Sequence, residues 1–242
     1  MIRDIFTALI YQPLYNALVE LIDIVPFADV GIAVIVLTVF VKILLFPLAR
    51  QAIRTQAVLK KVQPRIEEIR KDYKDDQHRQ VKETLALYKE NRVHPLSGIL
   101  TLIIQLPVIF GLYWVFFRGG LPVINTDLLY SFVQNPPSVN MMFLGFIDMG
   151  GRSALLAILA GATQFIHARI AIQPPQTNSK PGESIKDDIQ RSMHLQMRYV
   201  LPIIVGVVSF FISAAVALYW TTSNIFTIGQ ELLVRKSFRD TQ

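Results

Sequence analysis

Four long, mainly apolar blocks, at 30–48, 96–117, 153–172 and 199–228, limit what this chain can become. A helix needs about 20 apolar residues to cross a hydrocarbon layer of about 30 Å. The first three blocks are of that size. Inside lipid every backbone N–H and C=O must find its partner within the protein, and segments this long can do so only as helices. The composition agrees: 52% of residues are hydrophobic and 17% charged, against about a quarter charged in a soluble domain. The fold class expected is all-α, a polytopic membrane protein.

The last block decides the number of spans. As one helix its 30 residues would reach about 45 Å, half as long again as the hydrocarbon is thick. Lys and Arg favour the cytoplasmic side. Residues 49–92 hold twelve of them against seven Asp and Glu, while 119–151 hold none and two acids. The first span therefore runs inward, the second returns, and the third comes in to a loop with Lys180, Lys186 and Arg191. One final span would strand Arg235, Lys236 and Arg239 outside, whereas two spans turning near 213–216 keep them inside. The expected plan has five transmembrane helices, N-out and C-in. Its segments are an interfacial helix and linker at 1–29, spans at 30–48, 95–117, 153–172, 196–213 and 214–234, a cytoplasmic helical hairpin at 49–94, an extracytoplasmic loop at 118–152, a cytoplasmic loop at 173–195 and a short basic tail at 235–242. A net charge of +6 then serves orientation, and no specific nucleic-acid sequence is an expected partner.

The first thirty residues lack the basic start, short apolar stretch and cleavage site of a removable signal. Leu14, Leu18, Leu21 and Ile22 recur at helical spacing, which suggests an amphipathic helix over 3–22 lying in the interface and broken near Pro26. The alternative is a further span, which Asn16, Glu20 and Asp23 disfavour. In the hairpin, Val58, Val62, Ile66, Ile69 and Tyr73 form one thin stripe, and Val81, Leu85 and Tyr88 another, so two antiparallel arms can face each other. Pro64 should kink or interrupt the first arm. The stretch 173–192 is rich in turn formers.

One lysine stands well inside an apolar block. Lys42 lies about six residues, or about 9 Å, from the inner end of its span. Taken alone, it has two readings, a side chain snorkelling to the headgroups or a cation in a buried polar site. Its company favours the second. Thr38 is one turn earlier on the same face, Gln105 is mid-span, Gln164 and His167 sit in the third span, and Thr221, Thr222, Ser223, Asn224 and Thr227 crowd the last. A lone Ser, Thr, Asn or Gln in a membrane usually makes an interhelical hydrogen bond worth about 0.6–2 kcal/mol. A lysine near the centre costs about 2.5–3.5 kcal/mol and needs a cavity or bundle interior. These residues together imply a wet polar pocket reached from the cytoplasm, with Lys42 as its charge.

Five stretches identify a family: "YQPLYNAL" before the first span, "VKILLFPLARQA" at its end, "VQPRIEEIRKDYKDD" in the hairpin, "LALYKENRVHPLSGILTLIIQLPVIFGLYW" into the second span, and "ALYWTTSNIFTIGQELLVR" in the last. Together and in this order they resemble the YidC/Oxa/Alb family of membrane-protein insertases over nearly the whole chain. The resemblance implies insertion of other membrane proteins without ATP or a transmembrane pore. It implies a groove open to the cytoplasm and to lipid and closed to the outside, holding a basic residue that is usually arginine. That position falls on Lys42, and its groove neighbours fall on Thr38, Gln105, Ser223, Asn224 and Thr227. Lysine there keeps the charge but lacks arginine's planar five-donor fork. The last turn, "FISAAVALYW", lacks the family's Pro and Gly, and "VHPLSG" has histidine where asparagine is common. The large extracytoplasmic domain of Gram-negative members and the long basic C-terminal helix of mitochondrial members have no counterpart in these residues. The resemblance also implies nascent membrane proteins as partners, with the ribosome, the general secretion translocon and membrane lipids as further candidates. A bacterial plasma (inner) membrane is the expected location.

Two rival classes fit less well. A transporter would be expected to show paired interrupted helices or an inverted repeat. An enzyme would need a constellation of reactive groups, but no cysteine occurs, His78, His94, His167 and His194 are scattered, and HExxH, GxSxG and a phosphate-cradling glycine loop are missing. No catalytic residue, metal or cofactor is expected.

Overall fold

The protein, in a computed structural model, is described at residues 2–74, 76–91, 97–117, 121–172 and 185–239, the side chains at 2–3, 60, 97–105, 117, 185–187, 190 and 237–239 excepted. Nearly every element is a helix, and the chain forms two units, Met1–Leu44 with Pro107–Gly229 and Leu45–Leu106 with Gln230–Gln242.

The first unit opens with α1 (Ile2–Phe6), one π turn and α2 (Gln12–Ile24). Tyr15, Leu18, Val19 and Ile22 of α2 are buried, an i, i+3, i+4, i+7 face, with Asn16 buried beside them. This face is turned one position from the leucine stripe seen in the sequence, and it packs in the protein core. Asn16 is consistent with that burial because it is satisfied: its Nδ2 donates to Gln12 O and Leu128 O at 2.8 Å each, and its Oδ1 accepts from Tyr130 N at 2.6 Å. Pro26 ends the helical run, with Phe27 and Ala28 in the left-handed region (φ 62° and 51°).

Asp29 then starts α3 (Val30–Leu44). Its buried carboxylate accepts from Gly31 N (2.8 Å) and Ile32 N (3.1 Å) through Oδ1, and from Leu144 N (2.8 Å) through Oδ2. Val30, Ala33, Val34 and Leu37 of α3 meet the α2 face in one core with Leu112 and Val115 of α6 (Ser97–Phe117) and Ala214, Ala215 and Leu218 of α10 (Ala214–Arg239). The sequence carried the first span to residue 48, but α3 stops at Leu44. Pro47 has no N–H to continue the ladder and its ring opposes the carbonyl four residues back, so a new helix, α4 (Phe46–Asp72), begins with that proline in its first turn.

The loop over 121–153 is ordered by its contacts with helices. It contains a 3-10 turn at Thr126–Leu128 and a small antiparallel hairpin, β1 (Met142–Phe143) with β2 (Ile147–Asp148). Gly31 is glycine because Phe143 lies on it: a Cβ there would sit 2.3–2.7 Å from three Phe143 side-chain carbons.

Next come α7 (Ala154–Ala171), α8 (Ile185–Leu195), a π turn at Gln196–Val200 and α9 (Leu201–Phe211). Residues 173–184 of the loop read at 173–195 lie outside the described residues, and from Ile185 the chain is helical. Beyond the turn formers the sequence supports a helix, with Arg191 3.5 Å from Asp188 one turn away. Helices α7 and α9 touch through Gly161 and Gly206, the small-residue contact that lets membrane helices approach closely. A Cβ on Gly161 would lie 3.3 Å from Gly206 Cα and Pro202 O, both backbone atoms. Gly161→Leu is therefore expected to push the helices apart and cost about 1–3 kcal/mol, read as a lower unfolding midpoint in detergent. The chain breaks at Ile212 and Ser213, and the first N–H groups of α10 are taken by the loop, Ala214 N to Gly151 O at 2.8 Å and Ala215 N to Met149 O at 3.1 Å.

Within the second unit, α4 packs against α5 (Gln77–Glu90). Asp76 caps α5 by accepting from Arg79 N, Gln80 Nε2 donates to Arg70 O, and the Arg79 guanidinium lies 4.9 Å from the Tyr73 ring centre. Pro64 sits inside α4, which continues through it, so the proline does not interrupt the arm. Val62 and Ile66 are buried, but Val81 and Leu85 are exposed, so the stripe on the second arm is left uncovered.

Among the described residues, Asp4–Ile24, Ala154–Ala171 and Arg191–Phe211 are long and apolar enough to cross a membrane, and a fourth span arises if the helices on either side of the Leu45 break count as one.

Candidate functional site

Three helices of the first unit bring polar side chains together inside apolar segments. From α3 comes Lys42, half-buried, whose Nζ donates to Thr227 Oγ1 of α10 at 3.0 Å. The lysine side chain therefore points at another helix. Thr227 passes its own hydrogen to Ser223 O at 2.8 Å, one turn back on α10, so its hydroxyl is free to accept from the lysine. Ser223 and Asn224 are both buried. Asn224 Nδ2 donates to Thr163 Oγ1 of α7 at 3.3 Å, and Thr163 in turn donates to Leu159 O and Ala160 O on its own helix. His167 lies one turn beyond Thr163 on α7. Lysine, hydroxyl and amide thus link α3 to α10 and α10 to α7.

The residues singled out in the sequence are not all placed alike. Lys42, Thr227, Ser223 and Asn224 fall in this cluster. Thr38 is buried one turn before Lys42 and gives its hydroxyl hydrogen to Val34 O at 2.6 Å, on its own backbone. Thr221 does the same toward Ala217 O at 2.9 Å. The side chain of Gln105 lies outside the described residues. Thr163 was missed in the sequence, although it lies four residues before His167 and so shares its helix face.

Because Thr163 Oγ1 accepts the α10 to α7 bond, Thr163→Val should remove it at nearly constant shape. The expected loss is about 0.6–2 kcal/mol of helix association, measured as a small drop in unfolding midpoint that Thr163→Ser does not show.

The chain's residues 22–241 match the family described as 60Kd inner membrane protein. It is 34% identical over 211 residues to the membrane protein insertase YidC of Oceanobacillus iheyensis, covering 85% of this chain and 74% of that one. Against the insertase of the same name from Clostridium tetani the identity is 30% over 233 residues, covering 92% and 94%. With that of Neisseria gonorrhoeae it is 30% over 229 residues, 93% of this chain but 36% of the relative, so the chain spans about a third of that longer protein. A match of this extent, together with several helices able to cross a bilayer, shows that the chain belongs to the 60Kd inner membrane protein family, as a bacterial inner-membrane protein related to the YidC insertases.

Proposed function

We propose that the chain inserts nascent membrane proteins into the bilayer through a hydrated groove built around Lys42, without hydrolysing nucleotide. The observation that carries this reading is the Lys42 to Thr227 hydrogen bond, which turns the cation toward α10 within a band of neutral hydrogen-bonding groups. A cation facing a polar interior is the arrangement that makes an intramembrane charge tolerable and useful. A client's acidic or polar tail would exchange water for these groups partway across, which lowers a barrier that in bare hydrocarbon costs several kcal/mol per charge. Burial of the client's apolar helix in lipid then supplies the driving force. Thr38, Gln105, Ser223, Asn224 and Thr227 are the proposed lining beside Lys42.

The five-span, N-out and C-in plan belongs to the same proposal, with spans at 30–48, 95–117, 153–172, 196–213 and 214–234. Asp4–Ile24 could also cross by length, but its middle is bonded to the loop at 125–130: Gln12 and Asn16 donate to Leu128 O, and the Tyr15 hydroxyl accepts from Asn125 N. Ties to a polar loop at mid-helix support a helix lying along the extracytoplasmic interface. The hairpin at 49–94 would receive the incoming chain on the cytoplasmic side. Its basic surface suits a ribosome or the anionic lipid surface equally, and the translocon is a further proposed contact.

The test is purified protein in nucleotide-free liposomes, given a short single-span client with an acidic N-terminal tail, with a photocrosslinker at position 105, which leaves Lys42 in place. The expected result is protease-protected insertion and a crosslink to the tail. Solute leakage in place of insertion would point to a transporter and defeat the reading.

A further inference from the structure

An apolar groove of about 790 Å³ runs between α7 and α9, apart from the Lys42 cluster. Its floor is the Gly161 to Gly206 contact, and its walls include Ile158, Ala162, Ile203 and Phe165. One end is cationic and aromatic. The Phe165 and Tyr199 rings pack 6.0 Å apart, the Arg169 guanidinium stands 5.9 Å from the Phe165 centroid, and the Arg198 guanidinium stands 5.9 Å from that of Tyr199. The Arg198 Nε is buried and makes no hydrogen bond. A buried N–H on a permanent cation without an acceptor is costly, and a phosphate oxygen is the acceptor guanidinium suits best. The opposite end carries one cation, Arg152, 5.7 Å from the Phe211 ring centre.

We propose that this groove holds the acyl chains of an anionic phospholipid whose phosphate sits against Arg169 and Arg198. Shape favours lipid over a client helix. From Ala154 to Phe165 the groove follows about 16 Å of α7 above the close Gly161 to Gly206 contact, a length and floor that suit extended acyl chains. Charge selects the headgroup, since basic pockets between membrane helices take anionic lipids, and Arg169 and Arg198 flank the same pair of rings at this end of the groove.

The experiment is native mass spectrometry of the full chain from detergent, titrated with phosphatidylglycerol or with phosphatidylcholine. The wild type should retain phosphatidylglycerol in preference, by about fivefold for each arginine. Arg169→Gln with Arg198→Gln should abolish the preference and leave the unfolding midpoint unchanged. Ala162→Trp, at an exposed wall position, should reduce retention of both lipids. Equal retention of the two lipids by the wild type, or an unchanged preference in the double variant, overturns the proposal. So does a photocrosslinker at position 162 that captures client helix or a second copy of the chain in place of lipid.

Discussion

Reversing the charge at position 42 should produce the largest functional loss of any single substitution in this protein. With an effective dielectric of about 20, a client carboxylate about 8 Å from the ammonium is stabilised by about 2 kcal/mol, about thirtyfold in the rate of passage. Lys42→Ala should therefore slow insertion of an acid-tailed client about thirtyfold, Lys42→Glu further, and Lys42→Arg only slightly. A client with a neutral tail should be nearly indifferent to all three. The fold should tolerate the alanine, because Thr227 keeps its bond to Ser223 O when the lysine is gone. The check is the insertion rate in liposomes for each pairing of variant and client. Equal rates for Ala, Glu and wild type with the acid-tailed client would remove the electrostatic role.

The largest stability loss is expected at Asp29. One carboxylate there satisfies two N–H groups at the start of α3 and a third from Leu144. Hydrogen bonds to a charged group are worth about 1.5–3 kcal/mol each, and a lost cap costs about 1 kcal/mol. Deleting the side chain leaves the buried Gly31 and half-buried Ile32 donors without it and releases the exposed Leu144, so Asp29→Ala should cost about 3 kcal/mol. Asp29→Asn keeps one oxygen and sets an NH₂ group against the remaining donors, so it should recover only part. Thermal unfolding in detergent, compared with Glu20→Ala on the exposed side of α2, measures both. An Asp29→Ala midpoint matching that control would show the three bonds to be dispensable.

Lys42 could be read from the sequence because a charge in an apolar run has few explanations. Its neighbours on α10 could be read because five polar residues in seven cannot all face lipid. Thr163 was not legible in the same way: a threonine among alanines satisfies its own helix backbone, and only the position of α10 shows that it also accepts from Asn224. The face of α2 was displaced for a related reason. Periodicity marks apolar residues, whereas burial also takes in Asn16 once a loop more than a hundred residues away supplies partners. Asp29 is marked in the sequence as an acid directly before an apolar run, which is a helix start. The end of α3 at Leu44 was equally available from Pro47. The uncovered Val81 and Leu85 were not predictable from spacing, which shows that two stripes could meet but not that they do.

The loop over 121–153 fastens to α2 through Leu128 and Tyr130, to α3 through Leu144, and to α10 through Met149 and Gly151. These attachments lie on three helices, so parting any one of them at that end strains the lacing on the others, and the bonds must fail as a set. A bundle stitched along one rim can gape only at the opposite one. On the proposed function, such lacing would leave a guest to enter and depart away from the sewn edge.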